Sequence, residues 1–198
     1  PMITNYTTLK SSIETWSHRA DLTSVLDDFI ALAEQRLDTD LQVRELEATA
    51  TGNLSGATLA LPADFSKFRR FTINTTTKYS PENIGADGLR SRYSSSNGMP
   101  KYFAIIGTNI EFDRTPDSTY SYTLDYWKEV PALTAIAPTN DILTEYPGVY
   151  LFACLMEAAA YTKSDSDMQR YEVKYQQYLG LANSRSYQTG GPMRVVNG

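Results

Sequence analysis

Apolar residues recur at helical spacing at both ends of this chain and at strand spacing between them. Near the start, Leu22, Val25, Leu26, Phe29, Ile30, Ala33 and Leu37 fall at three- and four-residue steps. Near the end, Tyr150-Leu-Phe-Ala-Cys-Leu-Met-Glu-Ala-Ala-Ala-Tyr161 reads as an almost wholly buried helix. Met168, Tyr171, Tyr175, Tyr178, Leu179 and Ala182 form the stripe of another. An amphipathic helix must bury its stripe against a second element. The two ends are therefore expected to pack on each other, while the middle, rich in Thr, Ser, Gly and Tyr, forms a sheet of its own. The expected class is α+β: a bundle of N- and C-terminal helices with an inserted antiparallel β-sheet or small barrel.

The pattern divides the chain into residues 1–50 (N-terminal helices), 51–130 (inserted β region), 131–187 (C-terminal helices) and 188–198 (an extended arm). A first helix is predicted over 6–16, capped by Thr7 or Thr8, with Leu9, Ile13 and Trp16 on one face. A second runs from an Asp21 cap to about Asp38, with Glu34 and Arg36 outside its apolar stripe. Residues 49–55 read as a connector, 58–62 as a short strand, and 64–70 as a turn or single helical turn. Residues 71–75 alternate as a strand should. Residues 78–100 read as a long exposed loop with one short helix near 81–89, and loops of that length are commonly functional. Tyr102-Phe-Ala-Ile-Ile106 and Ile110-Glu-Phe112 predict a hairpin about Gly107. Tyr120, Tyr122, Leu124 and Tyr126 alternate with Ser121, Thr123 and Asp125 in the clearest strand of the chain. Asn140 or Asp141 is positioned to cap a short turn, and Pro147 suits the first position of a helix.

The chain has 198 residues, 41% of them hydrophobic, which suffices for one elaborated domain or two small lobes. Its net charge of −5 opposes general wrapping of nucleic acid. That average hides a division: residues 60–110 carry seven basic and three acidic groups, whereas residues 1–50 carry four and nine. Cys154 is the only cysteine, so no intramolecular disulfide forms, and its apolar surroundings mark it as a small buried hydrophobe. No apolar run is long enough to span a bilayer. Residues 1–4 lack the basic-then-apolar form of a signal peptide, so an intracellular origin is expected.

Catalytic patterns are missing. His18 is the only histidine, and no Gly-x-Ser-x-Gly elbow accompanies it. No His/Cys spacing fits a metal, Asp165 and Asp167 lack the further ligands of a calcium loop, and Gly85, Gly88 and Gly98 do not make a phosphate loop. No catalytic residue, metal site or cofactor is expected. Contact residues stand out instead. Arg90, Arg92 and Tyr93 in the long loop, with Tyr120, Tyr122 and Tyr126 on the clear strand, are candidates for subunit or tail contact; the tyrosine stripe equally suits a sheet core. Lys67, Arg69 and Arg70 form the densest basic patch, a candidate for contact with DNA or a neighbouring subunit. A nucleic-acid-binding module built on that patch and the tyrosines is the alternative reading.

Taken in order, several segments resemble the head-to-tail adaptor (connector, or head completion) proteins of tailed bacteriophages. They are Asp21-Leu followed by Phe29-Ile-Ala-Leu-Ala-Glu-Gln-Arg-Leu37, Leu61-Pro-Ala-Asp-Phe65, Tyr102-Phe-Ala-Ile-Ile-Gly-Thr-Asn-Ile110, Tyr120 to Trp127, and Thr144-Glu-Tyr-Pro-Gly through Tyr161 before the tyrosine-rich last helix. The resemblance covers residues 3–185. It implies a non-catalytic protein of the virion neck, assembled in the host cytoplasm. Family members form rings, usually of twelve subunits, that bind the portal protein, receive a tail or nozzle protein and let double-stranded DNA pass. By the same analogy the terminal arm, with Met193, Arg194, Val195 and Val196, is the portal-docking candidate. No membrane partner is implied.

Overall fold

A computed structural model describes residues 2–187 and divides the chain into two compact units. One takes the chain up to Leu46 and again from Val130 onward; the other is Glu47–Glu129.

The first unit is helical. Helix α1 spans Tyr6–Ser17 and is capped by Asn5, not by Thr7 or Thr8. Asn5 Oδ1 accepts from the Thr8 N–H at 2.9 Å while Thr8 Oγ1 accepts from the Asn5 N–H at 3.0 Å, a reciprocal capping box. His18 ends the helix at φ 54°, a boundary role consistent with its place in the sequence. Asp21 does not cap the second helix. It lies in a 3-10 turn over Ala20–Leu22, and α2 spans Leu26–Asp40 behind Val25, which makes no side-chain cap. Asn140 Oδ1 accepts from the Leu143 N–H at 2.7 Å and starts α4, Asp141–Glu145. Pro147 opens α5, Pro147–Tyr161, where its missing N–H costs nothing. Helix α6 spans Asp165–Tyr187.

Helix α5 is the centre of this unit. Ten of its fifteen residues are buried, Cys154 among them, because α1, α2 and α6 all pack on it. Leu26, Phe29, Ile30, Ala33 and Leu37 supply the buried stripe of α2, and Tyr171, Tyr175 and Ala182 that of α6. Gly148 lets α6 approach: a Cβ there lies 2.6 Å from the Tyr178 ring, which itself stacks on Phe152 at 5.4 Å.

The second unit is two facing sheets. Strands β1 (Glu47–Leu54), β3 (Phe65–Asn74) and β7 (Tyr120–Lys128) form one, in the order β1-β7-β3. Strands β2 (Thr58–Ala60), β4 (Glu82–Asn83), β5 (Tyr102–Ile106) and β6 (Asn109–Phe112) form the other, in the order β2-β6-β5-β4. No barrel closes among the described residues. All pairings are antiparallel except β4 with β5. The core between the sheets joins Leu54, Phe71, Ile73 and Leu124 to Phe103, Ile110 and Phe112. The hairpin turns at Gly107, whose φ of 60° suits the first loop residue of a tight turn.

Two local expectations fail for physical reasons, and a third is met only in part. Residues 49–55 are strand β1 rather than a connector. Gly52 reads as a loop signal, but it serves close approach: a Cβ there meets the Tyr122 hydroxyl at 2.9 Å. Residues 64–70 are mostly strand. Register shifts between Phe65 and Lys67 and between Phe68 and Arg70 break the alternation that marks a strand in sequence. Residues 78–100 contain a short helix as expected, α3 over Gly85–Arg92, but also strand β4 and Tyr79 bridged to Ile73. Backbone bonds from Ser94 to Asp113 and from Gly98 to Thr115 hold the remainder.

Candidate functional site

Each unit holds a buried carboxylate committed to hydrogen bonds within the fold. Glu34 was expected outside the α2 stripe, yet it is 8% exposed. It follows Ile30 by four residues, so it lies over the margin of the buried face. Its Oε1 accepts from the Leu133 N–H at 2.7 Å and from the Tyr150 hydroxyl at 2.5 Å. Asn140 Nδ2 donates to the same Tyr150 oxygen at 3.2 Å and to the Pro131 carbonyl at 2.6 Å. This network fastens the 130–140 segment onto α2 and α5. Burial raises the Glu34 carboxyl pKa despite the two donors, and burial beside Glu34 raises that of the Tyr150 hydroxyl. In the second unit Asp113 is fully buried. Its Oδ1 accepts from the N–H groups of Lys101 at 2.9 Å and Tyr102 at 3.2 Å, and its Oδ2 from Arg114 Nε at 2.9 Å. Among the described residues no group of three His, Cys, Asp or Glu side chains is placed to hold a metal ion.

The contact candidates separate by burial. Tyr126 faces inward: it is 6% exposed, stacks on Phe65 at 5.7 Å and donates to Asp64 at 2.8 Å. Burial, with that bond second, pushes its hydroxyl up to about 12. Tyr122 stacks on Phe71 at 5.4 Å and shields the Gly52 backbone. Tyr126 belongs to the sheet core, and Tyr120 and Tyr122 pack half-buried against it. The Tyr120 hydroxyl donates to Asp117 at 2.7 Å. In the α3 region Tyr93 is 62% exposed, Arg90 lies exposed 3.8 Å from Asp87, and Arg92 stacks on Tyr102 at 4.8 Å.

The basic patch is partly consumed by its own strand neighbours. Arg69 pairs with Glu47 at 2.8 Å and lies over Trp127 at 5.0 Å. Lys67 sits opposite Trp127 in the ladder, and the exposed Arg70 opposite Asp125. A shallow cavity of about 410 Å³ opens beside Arg69 and Arg70, floored by Phe68 and Phe103. Strand alternation signalled the side chains of this sheet; the carboxylate neighbours came from β1 and β7 and were invisible in the local sequence. Met193, Arg194, Val195 and Val196 lie outside the described residues.

The helical unit has surfaces that the sequence reading did not single out. A cavity of about 460 Å³ is lined by Trp16, His18, Phe152, Arg170, Tyr171 and Lys174. Trp16 is 51% exposed there, although Leu9 and Ile13 on its helix are fully buried. Leu32, Val173 and Leu181 are also exposed, at 47%, 57% and 65%. Among the described residues no helix is long and apolar enough to cross a membrane.

No curated protein matches the chain. A family model described as SU10 adaptor protein matches residues 4–196, so that nearly the whole sequence, both helical ends and the inserted sheets included, falls inside one family pattern. The chain belongs to the SU10 adaptor family, the head-to-tail adaptors of tailed bacteriophages, and is a structural protein of the virion that joins portal and tail components at the head–tail interface.

Proposed function

We propose that this adaptor forms a closed ring of twelve copies beneath the portal, extends the DNA channel and presents the surface on which the tail or nozzle protein assembles. The observation that carries this reading is the family match over residues 4–196, which spans both units. A ring of identical subunits needs two different patches on each copy, repeated around an axis. Exposed apolar side chains on α2 and α6 supply such patches. The helical unit is the ring-forming base. The β unit, with Arg90, Arg92, Tyr93 and Tyr120, contacts neighbouring subunits or the tail. Residues 190–198, with Met193, Arg194, Val195 and Val196, dock on the portal. The net charge of −5 keeps non-specific affinity for passing duplex DNA low, because that affinity comes from neutralising phosphates. Assembly takes place in the host cytoplasm.

The test is electron microscopy of the full-length protein mixed with its portal. The expected result is a twelvefold ring, capping the tail-facing end of the portal, with an open central channel. Images in which portals stay bare at saturating adaptor sink the proposal.

A further inference from the structure

Helix α6 has two uncharged faces, and the fold uses only one. Tyr171, Tyr175 and Ala182 are buried on the inner face. On the opposite side of the wheel, Gln169, Val173, Gln176, Gln177 and Gly180 are all exposed and carry no charge, with Glu172 at one margin and Arg170 and Leu181 at the other. They follow one another at three- and four-residue steps over about 18 Å of helix. A face that only meets solvent is normally laced with charge. Helix α2 repeats the pattern in shorter form: Ala31, Leu32, Gln35 and Thr39 are exposed opposite its buried stripe, and Asp28 alone adds a charge to that face.

The two faces differ in ways that make them fit each other rather than themselves. Leu32 projects from α2, 47% exposed. Gly180 leaves a gap on α6, with nothing within 4 Å of where its Cβ lies. Asp28 forms no ion pair among the described residues, and neither does Lys174, which flanks the α6 face. Both helices spend their inner faces on α5 of their own chain. We infer that the outer face of α2 in one copy packs on the outer face of α6 in the next, with Leu32 entering the gap at Gly180 and Asp28 meeting Lys174. Each copy offers both faces, so the contact is heterologous and repeats around a ring. This inference rests on the ring proposed above and names the surfaces that close it.

Engineered cysteines test it in the full-length chain, assembled on its portal and treated with a short bismaleimide cross-linker. Native Cys154 is fully buried and does not compete. L32C/L181C is expected to give a ladder of dimers, trimers and larger species up to the closed ring. L32C alone and L181C alone are expected to give none, and a mixture of the two single variants only dimers. A31C/Q177C, which lies between the Leu32–Gly180 and Asp28–Lys174 contacts, provides a second pair at surface positions. Dimers from either single variant indicate a self-complementary contact and overturn the inference. Intact rings without a ladder from either pair overturn the interface and leave the ring standing. Bare portals overturn both.

Discussion

Glu34 shows how one side chain can fix a segment far away in sequence. Its carboxylate receives the Leu133 N–H and the Tyr150 hydroxyl from residues 99 and 116 positions away. Tyr150→Phe removes one of these donors from a buried acceptor and is expected to cost about 1–3 kcal/mol. The loss is greater at neutral than at acidic pH, because the hydroxyl favours the charged carboxylate. The sign for Glu34 itself runs the other way. Burial raises its carboxyl pKa above 4.5, so the folded state holds a proton that the unfolded state has released, and stability falls as pH rises from about 4.5 through the raised value. Glu34→Gln therefore flattens that fall. Urea denaturation of both variants at several pH values between 4 and 7 checks the pair of expectations; a wild-type advantage over Glu34→Gln that grows with pH contradicts them. In the second unit Asp113→Ala strands the Lys101 and Tyr102 N–H groups and is expected to destabilise by about 1–3 kcal/mol. With Trp16→Phe as background, Trp127 fluorescence reports on that unit alone, since each unit holds one tryptophan.

The packing of α5 on α6 depends on a residue with no side chain. Gly148→Ala puts a methyl 2.6–2.7 Å from carbons of the Tyr178 ring and is expected to cost about 1–3 kcal/mol through overpacking. Adding Tyr178→Ala to Gly148→Ala relieves the clash, so a double-mutant cycle in thermal melts is expected to show strong coupling; additive losses contradict the contact. This element also shows what could be read in advance. The stripes of α2, α5 and α6 were legible because a helix core repeats at short range, and Pro147 and Asn140 announced their helix starts. The hairpin at Gly107 was legible for the same local reason. Strand β1 was hidden because Gly52 answers to Tyr122, seventy positions on, and β3 because two bulges spoil its alternation. The burial of Glu34 was hidden because its partners come from the 130–150 region. Candidate contact residues were veiled in the same way: Tyr120, Tyr122 and Tyr126 share one face of β7, and how deeply each is covered depends on rings such as Phe65 and Phe71 packed against it, which the strand's own sequence does not contain.

In the proposed ring the helical unit and the terminal arm have separate tasks, so removing one should leave the other working. Among the described residues every buried apolar side chain of the helical unit lies at or before Ala182. The inferred subunit contact also ends before the arm, at Gly180 and Leu181. Ending the chain after Tyr187 is therefore expected to leave the melting temperature unchanged and to preserve contact between copies. The same truncation removes Met193, Arg194, Val195 and Val196 and is expected to abolish co-sedimentation with the portal. Supplying residues 188–198 as a free peptide should then compete with the full-length adaptor for portal binding. Portal binding that survives truncation assigns docking to another surface. Two results must be kept apart: a lowered melting temperature makes the arm part of the fold, whereas an unchanged melt with lost L32C/L181C cross-linking at high protein concentration makes it part of the contact between copies. Only retained fold and cross-linking together with lost portal binding support the arm as the portal ligand, because that combination separates docking from both folding and assembly.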